Sequence, residues 1–135
     1  MKHWKNFTEE ELKCRCGLCN IGSTYIDPIL MNWVQTIRTE LDFPFPITSA
    51  ARCHTHDNKF GGKRSHTRQE ETGYCHALDI ALTGKRFSNF LKIAMASNEL
   101  YGIGIKQHGD YSSRFIHIDN KPSRDRNYKV IWSYP

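Results

Sequence analysis

The run Cys75-His76-Ala77-Leu78-Asp79-Ile80-Ala81-Leu82 narrows most sharply what this chain can fold into. It reads as a strand, and side chains alternate along it. Cys75, Ala77, Asp79 and Ala81 therefore share one face, and His76, Leu78, Ile80 and Leu82 the other. A carboxylate flanked by Leu78 and Ile80 is costly to bury unless something neutralises it. A metal ion would do so; the alternative is a place at a rim, where Asp79 binds an arginine or caps a neighbouring loop. The strand also closes the stretch from Ile47 to Ile80, which holds four of the seven histidines, two of the five cysteines and a paired glycine.

The flanking segments supply the scaffold. Thr8, with Glu11 three residues on, is a capping-box pattern for a short helix. Asp27-Pro28 opens a second helix, with aspartate as cap and proline at the first helical position, and Leu30, Trp33, Val34, Ile37 and Leu41 recur at helical spacing until Pro44 and Pro46. Ile47 to Ala51 is a short strand that delivers Arg52 to the head of a loop, residues 53–74, which shows no stable periodicity. Structureless loops of that length are uncommon in compact domains and are usually functional. Phe87 to Ser97 is predicted as a helix with Phe90, Leu91, Ala94 and Met95 on its apolar side. Gly102-Ile103-Gly104-Ile105 predicts a strand with close backbone approach at the glycines. Two more strands follow: Arg114 to Asp119, with Phe115, His117 and Asp119 facing one way, and Lys129 to Tyr134. This order predicts a single α+β domain over residues 1–135, with a small, mostly antiparallel sheet flanked by helices. Residues 1–26 form a cysteine-containing N-terminal segment ahead of a core spanning 27–135.

Charge and cysteine usage limit the partners. A formal net charge of +5 and a pI near 9.0 favour an anionic partner: nucleic acid, a membrane surface or an acidic cell-wall polymer. Five cysteines cannot all pair within one chain. Cys14, Cys16 and Cys19, spaced C-x-C-x2-C, offer three thiolates to a structural zinc that would want a fourth ligand, or else form a local turn with buried or disulfide-bonded thiols. Gly62-Lys63-Arg64-Ser65 lacks the first glycine of a phosphate loop and the Ser/Thr directly after its lysine, which argues against nucleotide binding. Lys59, Lys63, Arg64 and Arg68 make the long loop basic, a feature that usually marks no more than a solvated surface. Trp4, Trp132 and Tyr134 could line a cleft or belong to the core. No apolar run approaches the roughly 18 to 20 residues that cross a bilayer, and the opening MKHWKNFTEEELKC lacks the apolar centre of a signal peptide. The expectation is a chain made in the cytoplasm without ordinary secretory export.

Several pieces, in order, resemble the zinc D-alanyl-D-alanine carboxypeptidase family, which includes phage and bacterial enzymes that cut peptidoglycan peptides and shares its fold with the hedgehog signalling domain. They are Thr48-Ser49-Ala50-Ala51-Arg52, Asn58, Gly61-Gly62, Ser65-His66, Ala77-x-Asp79-Ile80, Gly102-Ile103-Gly104 and Phe115-Ile116-His117-Ile118-Asp119. Phe7 to Cys19 is similar to the segment preceding the core in phage-type members. The resemblance implies a metal site of His66, Asp79 and His117 and gives Arg52 the role of holding a developing oxyanion. His66 and Asp79 are separated by more residues than in the family pattern, and the surplus lies around Gln69 to Tyr74; His54, His56 and His76 are the other histidines of this region. Arg114 stands where members of the family often carry the acidic residue or histidine that deprotonates the zinc water, and an arginine cannot act as a base at neutral pH. His108 or Asp110, in the loop before that strand, would then relay the proton, and His108 has the better suited unperturbed pKa.

The implied function is a zinc-dependent metallopeptidase acting on an amide of peptidoglycan stem peptides, a phage-type lytic enzyme released to the wall. Its partner would be a peptidoglycan peptide, with neither nucleic acid nor membrane required. A rival reading is a non-catalytic, zinc-stabilised binding or virion module of the same fold. A third is a basic zinc-thiolate nucleic-acid module built on Cys14, Cys16 and Cys19.

Overall fold

The computed structural model describes residues 4–135, so the first three residues of the N-terminal segment lie outside it. The described elements, in order, are α1 (Glu9–Leu12), a 3-10 turn (Ser23–Tyr25), α2 (Pro28–Leu41), β1 (Ile47–Ser49), α3 (His54–Lys59) and β2 (Ala77–Ile80). They continue with α4 (Gly84–Ala96), β3 (Gly102–Lys106), a second 3-10 turn (Tyr111–Ser113), β4 (Phe115–Asp119) and β5 (Val130–Ser133). Local chemistry sets the helix starts as the sequence predicts. Thr8 and Glu11 cap α1 reciprocally, while Asp27 accepts the Leu30 N–H at the head of α2, with Pro28 just inside. α2 stops at Asp42, whose left-handed backbone (φ 54°) turns the chain before the prolines.

The strands form one sheet in the order β1-β2-β4-β3-β5, antiparallel throughout except for the parallel β3–β5 pair at one edge. Alternation divides its residues cleanly. Leu78, Ile80, Ile103, Ile116 and Ile118 point into a core shared with Leu30, Met31, Val34 and Ile37 of α2 and Phe90 and Ala94 of α4. The opposite face carries Ala77, Asp79, His117 and Asp119 beside Gly102 and Gly104, and all of these are buried too. An interior that rich in polar groups needs internal partners.

Two predicted elements are corrected. Residues 53–74 are not a continuous loop, because α3 occupies its start. Cys53 caps this short helix, and the residue it buries is a carboxylate, Asp57. A turn anchored by charge leaves no apolar period to read. Met95 is 46% exposed, so it does not belong to the apolar side of α4. Phe90 and Ala94 are buried there, with Phe87, Leu91 and Ile93 partly buried around them; Met95, five residues past Phe90, is turned roughly 140° away. α4 also starts three residues earlier than its apolar pattern, since Gly84, Lys85 and Arg86 fill a polar first turn.

The two glycines of β3 are spatial requirements. A Cβ on Gly102 would meet the Asp119 carboxylate and Arg124, and one on Gly104 would run into the Trp132 indole. Gly104 pairs with His117 on one side and Trp132 on the other, so its bare backbone lets the indole lie across to His117, ring centroids 5.2 Å apart. Gly104→Ala should therefore lower stability by about 1–3 kcal/mol through overpacking, measured as a reduced urea midpoint together with altered tryptophan fluorescence. An unchanged midpoint would contradict this packing.

Candidate metal centre

Asp79 sits in the middle of β2, directly paired with His117 of β4, and the two side chains share a face. Asp79 Oδ1 lies 2.9 Å from His117 Nδ1 and 3.2 Å from His66 Nε2. The His66 and His117 rings meet edge to face, centroids 5.1 Å apart, and all three residues are buried. His66 is thirteen positions from Asp79 in the chain, and the intervening surplus does not displace it. Gln69 to Tyr74 closes on itself through Gln69 N–H to Tyr74 O (2.8 Å) and Gly73 N–H to Gln69 O (2.7 Å), above a bridge between Arg68 and Cys75. The extra residues thus form a pinched excursion while the chain on either side keeps its place.

Outer partners fix which ring nitrogen faces inward. His66 Nδ1 lies 2.6 Å from the Ala50 carbonyl, a pure acceptor, so Nδ1 must donate and a neutral ring turns its Nε2 lone pair toward Asp79. His117 has a carboxylate at each nitrogen, Nε2 2.8 Å from Asp119 Oδ2 and Nδ1 against Asp79; a neutral ring that donates to Asp119 would turn its Nδ1 lone pair toward Asp79. Arg124 holds Asp119 in turn, through Nε at 2.7 Å and Nη2 at 3.0 Å. Carboxylate–histidine pairs of this kind orient metal-ligating imidazoles.

Three acceptor atoms therefore converge where only a cation or a retained proton can reconcile them. Burial works to raise the Asp79 pKa, yet the His66 and His117 rings pull it well below the usual carboxylate range. Burial disfavours charge on His117 too, but its bonds to Asp119 and Asp79 push its pKa up to about 9. Both shifts express the attraction between the buried carboxylates and the protonated imidazoles. A divalent ion would displace the proton and meet the same carboxylate directly. The trio fits zinc in donor type and number, because catalytic zinc sites take three protein ligands from His, Asp or Glu and keep one position open.

Arg52 lies beside the trio. Its Nη2 is 3.8 Å from Asp79 Oδ2, its Nη1 donates to Asp57 Oδ1 at 3.0 Å, and its Nε donates to Ser49 Oγ at 2.9 Å. Asp57, fully buried, also accepts the Arg64 N–H, and Gly62 packs against it so closely that a Cβ would overlap the carboxylate. The Gly61-Gly62 turn thus seats Asp57, and Asp57 aims Arg52. The Arg52 N–H donates to His66 O at 3.0 Å, which ties this arm to the metal arm.

The other sequence candidates sit elsewhere. His76 faces away from Asp79, its Nδ1 2.8 Å from Asn120 Oδ1 and its Nε2 2.6 Å from Thr72 Oγ1, in a network that reaches Asp27 through Asn120. His54 is exposed, and His56 packs on Phe60. His108 is exposed with Nε2 3.0 Å from Tyr134 O, outside the trio. Arg114 is committed to Gly109 O and to the Tyr111 ring face. Trp4 belongs to the core, whereas Trp132 and Tyr134 belong to the site side. Burial and then the Asp79 carboxylate push the Tyr134 phenol up to about 12, against the pull of Arg52. Asp57 was invisible to sequence reasoning because its contacts are local in space and not periodic. Asp119 carried a signal, its place two residues after His117, but that signal specifies no partner.

No curated protein and no solved structure matches the chain. A family model described as Peptidase M15 matches residues 5–119, which include Arg52, the three converging residues and Asp119. The chain belongs to the Peptidase M15 family, a family of zinc peptidases that includes D-Ala-D-Ala carboxypeptidases and phage endolysins.

Proposed function

We propose that this chain is a zinc-dependent peptidase that hydrolyses an amide bond in peptidoglycan stem peptides, in the manner of a phage-type lytic enzyme. The observation that carries the reading is the convergence of His66, Asp79 and His117 beside an arginine fixed by Ser49 and Asp57. His66, Asp79 and His117 would hold the zinc, which would supply Lewis acidity to lower the pKa of a water toward about 7 and polarise a carbonyl. Arg52 has the role of receiving negative charge as it develops on the carbonyl oxygen, and its fixed position means little reorganisation is needed at that moment. We assign His108, exposed and with its Nε2 3.0 Å from Tyr134 O, the role of carrying the proton from the attacking water to the leaving amine. A cavity of about 550 Å³ lies beside Arg52, lined also by Arg68 and Gln69 but by none of the three converging residues.

The net charge of +5 suits an anionic cell wall. No helix among the described residues is long and apolar enough to cross a membrane. We place the chain's synthesis in a host cytoplasm and its action at the wall after release. One observation favours the rival reading of a non-catalytic binding or virion module: Arg114 stands at the usual position of the base and is engaged with Gly109 O and Tyr111.

Purified cell walls should lose turbidity with the wild-type protein, and the loss should vanish with chelator or with Asp79→Ala. Zinc binding without any turbidity loss would favour the non-catalytic module. Arg52→Lys should lower kcat on the order of 10²-fold with little change in KM, and His108→Ala should lower it by at least about 10²-fold; wild-type kinetics in either variant would remove that residue from the proposed chemistry. Asp119→Asn, measured by competition with a zinc indicator, should weaken metal affinity by about 10–100-fold. Undiminished affinity would show that Asp119 does not orient His117.

A further inference from the structure

A second set of metal-ligand atoms gathers away from the trio. Cys14, Cys16 and Cys19 follow α1, and Cys53 stands at the head of α3, yet their four Sγ atoms all lie within 4.8 Å of one another. The separations are 3.4 Å for Cys16–Cys19, 3.8 Å for Cys14–Cys53 and 3.9 Å for Cys16–Cys53. A tetrahedral ZnS4 unit with Zn–S bonds of about 2.3 Å has sulfur–sulfur edges of about 3.8 Å. The cluster already has nearly those dimensions, and all its cysteines are free.

The backbone around the sulfurs is arranged for thiolates. Leu18 N–H points at Cys16 Sγ (3.3 Å), Cys53 N–H at Cys14 Sγ (3.3 Å) and His56 N–H at Cys53 Sγ (3.4 Å). A neutral thiol is a weak acceptor, whereas a thiolate makes such bonds charge-assisted. Gly17, at φ 72°, allows the tight turn that brings Cys16 and Cys19 onto one point. The rest of the segment is packed in place: Leu12 and Cys14 are buried, Ala51 N–H donates to Leu12 O, and Arg15 reaches the Ile47 carbonyl.

We propose that Cys14, Cys16, Cys19 and Cys53 form a structural zinc site that fastens the N-terminal segment to the residue following Arg52. Four protein ligands leave no position for water, so the site is closed and takes no part in hydrolysis. Zinc binding there releases the thiol protons to solvent and changes no oxidation state. Its mechanical effect falls on Arg52, held by Asp57 and Ser49 on one side and anchored through Cys53 on the other.

The test separates the two sites by metal content. Wild-type protein, loaded with zinc under reducing conditions and desalted, should hold about two zinc ions per chain. His117→Ala should keep one of them, and the double variant Cys16→Ser with Cys19→Ser should keep the other. The cobalt(II)-substituted protein should show thiolate-to-cobalt charge-transfer absorption that survives His117→Ala and is lost in the double cysteine variant. Should that variant fail to fold, the wild type suffices: Cys19 is exposed, and zinc should protect it from alkylation until a chelator is added. Wild-type protein without thiolate charge transfer, or Cys19 alkylated at the same rate with and without zinc, overturns the proposal. Neither result bears on the peptidase reading, which depends on the ion retained by the cysteine variant.

Discussion

The structure turns on a carboxylate buried in the centre of a sheet. Asp79 occupies a strand whose neighbours Leu78 and Ile80 are fully buried. Its charge must be met from within, since desolvating an unpaired carboxylate costs far more than a small domain's whole stability. β4 supplies His117 directly across the ladder, the chain before β2 supplies His66, and the residue ahead of the α3 cap supplies Arg52, held by Asp57 of α3. Each of these partners is held by a further polar group: Ala50 O behind His66, Asp119 and Arg124 behind His117, and Ser49 behind Arg52. The polar side of the sheet is thus an ordered network in which three acceptors meet at a point that suits a cation.

That network needs room, and β3 provides it by omission. With Gly102 and Gly104 bare, Asp119 with Arg124 and then Trp132 can occupy the space over β3. The parallel pairing of β5 with β3 brings Trp132 into register with Gly104 and lays it against His117. Arg124, Trp132 and Tyr134 all lie beyond residue 119, where the family match ends. One wall of the site is therefore built by residues outside the matched segment.

Much of this arrangement was legible in the sequence because it depends on period and on local chemistry. Alternation along residues 75–82 and 114–119 fixed which face would carry Asp79, His117 and Asp119. It also set His76 on the opposite face, where the structure finds it bound to Asn120. Capping residues marked α1 and α2. The helical start of residues 53–74 escaped notice because α3 is anchored by a buried carboxylate instead of an apolar stripe, and Met95 was misplaced because a short helical window tolerates a wide arc. Spacing could not show that Gln69 to Tyr74 closes on itself, since that depends on two backbone bonds across the turn. The same limit hid Cys53 as the companion of Cys14, Cys16 and Cys19, because the chain path that joins them is tertiary.

The short segment Ala50 to Cys53 shows how the parts are coupled. Within four residues, Ala50 O orients the His66 ring, Ala51 N–H grips Leu12 of the N-terminal segment, Arg52 faces Asp79, and Cys53 enters the sulfur cluster. Successive residues of an extended chain point in different directions, so one such stretch can join elements that never touch each other. A disturbance at the sulfur cluster would reach Arg52 through a single peptide unit, and one at Asp57 would reach it through a single hydrogen bond. Positioning to a fraction of an ångström decides how well a fixed cation answers a developing charge. It follows that the N-terminal segment belongs to the physics of the site even though none of its residues joins the converging trio.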